Sequence, residues 1–312
     1  ALFLVQNDST LGYNGSGDPA TFNNAGTFRK NTTTGVTTIS NNTFNNTGTV
    51  DVQTGTLTFG TGVSASGAFN VASRANILFT AGQTFSNGAS FTGSGGSIKI
   101  TGGTTNVSGT LTSQLLDFSA GTLQGSADIT GDLTWSGGAW IGTGLLQHTA
   151  GTLKLSGSAN KTISRADNIG SGGRILRSAG TIAWTGTGKL LGGDGAGLDI
   201  LSGGVFDIQN ASTYQHNGSG NLPFLTNAGT VRKTVDLGTT IFDGVVFTNL
   251  NRLEILGGDL SLINGGGLAN SGLVQIQAGA LASAGSGATS TGGTFDVWGG
   301  AQVDFSGDAD TF

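Results

Sequence analysis

Eighteen Asp and Glu residues, thirteen Lys and Arg, two His and two Tyr are the titratable side chains of this 312-residue chain, which has no Cys. Acid–base hydrolysis or elimination needs two or three carboxylates converging with a base. The carboxylates that stand close together in sequence include Asp194 with Asp199, Asp128 with Asp132, and Asp304 with Asp308 and Asp310. His148 and His216 stand in unrelated contexts, and no Gly-His-Gly or Arg-x-Lys grouping accompanies them. These acids are so widely spread that solvated faces and turn caps account for them, and the expectation is a protein that is not an enzyme.

Metal chemistry has two candidates. Gly192 to Ile200 is similar to the calcium-binding nonapeptide Gly-Gly-x-Gly-x-Asp-x-apolar-x, but it occurs once and carries Gly197 where that pattern has its ligating Asp. A glycine-rich corner explains it better. Asp304, Asp308 and Asp310 could give oxygen ligands to Ca²⁺. Neither is convincing enough to replace the expectation of no metal and no cofactor. Arg29-Lys30 and Arg232-Lys233 read as exposed caps that keep strand ends soluble, or else as a spaced cationic site for acidic glycans. Of the four Trp, Trp135 and Trp184 fall in the inner slot of apolar-x-apolar strands. Trp140, after Gly137 and Gly138, is the candidate for a surface glycan contact; Trp298 would join it if it faces outward. Asn-x-Ser/Thr triplets such as Asn7, Asn31 and Asn210 read as turns rather than glycan sites. The Thr54, Thr56 and Thr58 run does not recur in phase, which weakens an ice-binding reading.

What must position these residues is a repeat. An apolar residue two places before an Asn-x-Gly turn appears as Phe22/Asn24/Gly26, Phe44/Asn46/Gly48, Leu225/Asn227/Gly229 and Leu268/Asn270/Gly272, and more loosely as Phe247/Asn249. The Asn positions advance by 22 (24 to 46), 22 (227 to 249) and 21 (249 to 270). A fixed period of about 20–22 residues with a strand after each turn is the signature of a β-solenoid. Short strands such as Thr49–Val52, Thr56–Phe59, Ile98–Ile100 and Ile182–Trp184 put alternate residues on opposite faces. Gly-Thr and Gly-Gly pairs supply corners. The spacing predicts an all-β, three-sided parallel β-helix of about 14–15 coils with essentially no α-helix. In it Asn24, Asn46, Asn227, Asn249 and Asn270 form amide ladders, Phe22 stacks on Phe44, and Phe247 lies over Leu268.

A longer repeat has an offset of 203 residues: 3–62 matches 206–265, including Asn24 to Lys30 against Asn227 to Lys233, and a third copy begins near 293. With no Met present, the chain reads as one solenoid taken from a longer array.

Composition narrows the partners. Charged residues are 10% and Gly is 58 of 312, far from the globular average. The net charge of −5 leaves no basic footprint for nucleic acid, and no apolar run is long enough for a membrane-spanning helix.

The phrases Phe22 to Lys30, Asn46 to Leu57 and Leu133 to Trp140 resemble bacterial extracellular repeat proteins of the filamentous-haemagglutinin and autotransporter-passenger kind. The resemblance implies a right-handed parallel β-helix exported to the cell surface, acting as an adhesin stalk or matrix fibre. Self-association into a fibre and contact with host or matrix glycans are the expected partnerships. The alternative is a carbohydrate-binding or polysaccharide-cleaving β-helix.

Overall fold

The computed structural model describes residues 1–165, 172–235, 238–265, 267–284 and 289–306. The chain divides into two compact units, Ala1–Trp135 and Ser136–Phe312. Every regular element among the described residues is a β-strand, and most strands pair in parallel with the strand three places on. Each unit is therefore a β-solenoid whose coils have three faces.

In the first unit, face 1 begins with Leu2–Val5, Thr27–Lys30 and Thr49–Val52. Face 2 begins with Thr10–Gly12, Val36–Ser40 and Thr56–Gly60, and face 3 with Thr21–Asn24, Thr43–Asn46 and Val63–Ala65. Strand Thr104–Phe118 then runs through all three faces, and Thr122–Trp135 pairs with it from Thr104↔Thr122 to Phe118↔Trp135, with one shift of register between Ser113 and Leu116. The second unit repeats the scheme, with face 1 carried by Thr152–Leu155, Thr181–Trp184, Val205–Ile208, Thr230–Lys233, Arg252–Ile255, Leu273–Ile276 and Thr294–Val297.

Alternation along each strand sends every second side chain inward, and register stacks like on like. On face 2 of the first unit one inner column reads Ile39, Phe59, Phe79, Ile100, Phe118, Trp135. The Phe59 and Phe79 rings stack 5.2 Å apart at 10°. On face 3 of the second unit the column is Leu146, Leu176, Leu198, Leu225, Phe247, Leu268, all fully buried or within 1% of it. Each such side chain contributes about 1.5–3 kcal/mol relative to exposure, so the apolar-x-apolar pattern fixes which face of each strand turns in.

The two units together hold about 13 turns rather than 14–15. Coil length explains the difference. The step is 22 residues from Thr27 to Thr49 and 18 from Thr104 to Thr122, but 30 from Leu145 to Ile175 and 27 from Gly197 to Phe224. The longer corners absorb residues that a constant period would have given to additional coils.

Candidate functional site

The Asn residues close the inner corner between faces 3 and 1. Asn24 Nδ2 donates to Asn46 Oδ1 at 2.8 Å, and the second unit carries the same bond twice, Asn227 to Asn249 and Asn249 to Asn270, each 2.8 Å. The second amide hydrogen goes to a backbone carbonyl of the next coil: Thr49 for Asn24, Arg252 for Asn227, Leu273 for Asn249. Asn24, Asn227 and Asn270 also accept from the Gly two residues on. An amide supplies both donor and acceptor, so one residue type repeats and pairs from rung to rung; at the end of the second ladder the buried Asn270 Nδ2 has no hydrogen-bond partner among the described residues. Phe22 and Phe44 stack at 5.3 Å and 4°, and Phe247 lies over Leu268.

Neither reading of the Lys pairs survives for the lysines themselves. Lys30 and Lys233 are fully buried, in inner columns that run Val5, Lys30, Val52, Val71 and Ile208, Lys233, Ile255, Ile276. Their positions in the alternation decide this: Thr-Phe-Arg-Lys and Thr-Val-Arg-Lys put Phe28 or Val231 and then Lys inward, with Arg outward. The aliphatic stem packs in the column while the ammonium reaches the corner. Lys30 Nζ meets Asp8 at 2.7 Å and Thr33 Oγ1 at 2.8 Å; Lys233 Nζ donates to the Val235 carbonyl at 2.8 Å. The arginines are outside but engaged, Arg29 with Asp51 (2.8 Å) and Arg232 with Asp207 (3.0 Å). Burial works against the Asp207 charge, yet hydrogen bonds from Arg232, Gln209 and Thr234 outweigh it and hold the carboxyl below its ordinary range. Asp8 is lowered too, chiefly by its hydrogen bond from Lys30 and then that from Thr33.

The acidic candidates do not assemble. Asp194, fully buried at a corner, accepts from the Arg165 backbone N–H and from Ser219 Oγ at 2.7 Å, while Asp199 is tied to Arg177 at 2.8 Å. The nonapeptide-like stretch is thus held as a corner. Asp128 and Asp132 are exposed on Thr122–Trp135. Asp304 is exposed on Gln302–Phe305, and Asp308 and Asp310 lie outside the described residues. Among the described residues no three His, Asp or Glu side chains gather as metal ligands. His148 is buried with Nδ1 3.1 Å from Ser178 Oγ, and His216 Nε2 lies 3.1 Å from the Ser219 carbonyl.

Trp140 requires a correction. It is 0% exposed, like Trp135 and Trp184. Gly138 begins a strand, Gly138–Ile141, whose alternation turns Trp140 inward over Ile163. It has no surface to offer a sugar. Trp298 is the exposed one, at 50%. It occupies a slot that recurs on the outside of face 1. There a residue donates a side-chain N–H back to the acceptor two residues earlier: Gln53 to Asp51 (3.0 Å), Gln209 to Asp207 (2.9 Å) and Gln277 to Gln275 (3.0 Å). In a fourth such pair Trp298 Nε1 takes the glutamine's place and donates to Asp296 Oδ2 at 3.3 Å. Aligning Asp51-Val-Gln53, Asp207-Ile-Gln209, Gln275-Ile-Gln277 and Asp296-Val-Trp298 is the sequence signal that singles it out.

No protein-family model, curated protein or solved structure matches this chain.

Proposed function

We propose that the chain is a non-catalytic structural scaffold of the cell exterior, a run of adhesin stalk or of surface or matrix fibre that associates with further copies of itself. One observation carries this reading: polar chemistry is spent on the neighbouring coil. Arg29–Asp51, Arg177–Asp199 and Arg232–Asp207 each bridge one coil to the next, as does every rung of the Asn ladders. Such a framework lengthens by repetition at constant cost per coil, which suits a spacer. The placement outside the cell rests on the resemblance of its repeat phrases to exported proteins.

Electron microscopy over a concentration series tests the reading, together with diffraction from aligned material. Filaments with an axial spacing of about 4.8 Å are expected. Discrete particles at every concentration that also lower the viscosity of a polysaccharide solution would replace it with the polysaccharide-cleaving alternative.

A further inference from the structure

We propose that Trp298, Asp296 and Gln275 form a binding subsite for a neutral pyranose residue of a glycan. The argument starts from the recurring slot. Gln fills it at 53, 209 and 277 and makes the same backward hydrogen bond that Trp298 makes, so the slot itself does not call for an aromatic ring. Half of this large ring lies in water, whereas the other three Trp are fully buried. A tight turn follows, closed by Ala301 N–H on the Trp298 carbonyl at 3.0 Å, and a Cβ added at Gly299 or Gly300 would meet no atom within 4 Å.

The polar groups beside the ring are fixed rather than free to swing. Arg252 Nη2 donates to Gln275 Oε1 at 2.8 Å, and Gln275 Nε2 donates to Asp296 Oδ2 at 2.8 Å, the same oxygen that receives the indole N–H. A flat apolar plate thus lies beside a carboxylate whose Oδ2 is satisfied twice. The remaining oxygen accepts but cannot donate. A ligand that fits has a flat C–H face to lie on the indole and hydroxyls at its rim to donate to Asp296, which is the description of a pyranose. An anionic sugar is disfavoured by Asp296 and by the net charge of −5. A cationic side chain gains less than it would from a bare carboxylate, because two donors already compensate this one. The subsite does not depend on the scaffold reading, and its failure would leave that reading standing.

Fluorescence isolates the subsite, because Trp298 alone among the four Trp is open to an aqueous quencher. The full chain is titrated with hydroxyethylcellulose and with mannan, and with polygalacturonate and polylysine as charged comparators, and iodide quenching is followed. Shielding of Trp298 by a neutral polysaccharide is expected, with retarded migration in a gel containing it. Trp298→Gln restores the residue that the slot carries elsewhere, so it keeps the fold and its melting temperature while weakening binding on the order of tenfold; Trp298→Phe retains part of the affinity. Unchanged quenching with both neutral polymers, shielding by polylysine alone, or wild-type binding by a folded Trp298→Gln protein would each overturn the proposal.

Discussion

Lys30 puts a charged group into an inner column between Val5 and Val52. Its ammonium ends on Asp8, whose side chain keeps 40% exposure and can be solvated without it. The stem therefore matters more to stability than the charge. Lys30→Met, which keeps the stem, is expected to change the unfolding free energy by less than about 1.5 kcal/mol. Lys30→Ala, which leaves a void between two rungs, is expected to cost about 2–4 kcal/mol. Urea unfolding of the two variants separates the contributions; equal losses would mean that the ion pair governs. Residue type misleads at this position, because an Arg-Lys pair reads as surface until the strand's phase is known. Phase was legible for Trp135 and Trp184, which lie in clear apolar-x-apolar triplets. It was lost for Trp140, where two glycines imitate a loop.

Corners show how two glycines of similar appearance answer to different physics. The Asn-x-Gly turns are predictable from spacing, and the ladder follows from them. The reason for the glycine is different from the expected one. Gly55 takes φ +67°, the left-handed backbone that favours Gly, but Gly48 does not. Gly48 is needed because the coil beneath comes too close: a Cβ there would lie 2.1 Å from the Gly26 carbonyl oxygen. At Gly62 the nearest atom would be 3.9 Å away, with an ordinary φ. Gly48→Ala is accordingly expected to cost more than about 3 kcal/mol. Gly62→Ala is expected to be neutral or to stabilise by up to about 1 kcal/mol through the unfolded chain. Thermal melts of both variants test this, and similar losses would contradict it. Sequence cannot separate these glycines, because the distance to the next coil is set by stacking rather than by the turn itself. Coil count was off for a related reason, since insertions at corners leave the strand pattern untouched.

Acid should affect the whole molecule in two separable steps. The sequence isoelectric point is near 4.8, where net repulsion vanishes and association is favoured. Asp8 and Asp207 both titrate below the ordinary 3.8 in the folded protein. A depressed carboxyl pKa gives stability that is complete above the unfolded value and lost as pH falls through the lower folded one. Light scattering should therefore peak near pH 4.8 with the β-sheet circular dichroism intact, and the dichroism should weaken only below about pH 3.8. Loss of both signals together at pH 4.8 would refute this sequence of events. The 203-residue offset has a different kind of consequence. Thr27–Lys30 and Thr230–Lys233 follow the same corner with the same inward and outward pattern, buried lysine included. Recombination between the two copies, joining Gly26 to Thr230, would fall between equivalent points of the coil and keep each inner column in phase. A gene of this design can gain or shed whole segments in single events, so that the number of coils changes in large steps while the core is left as it was.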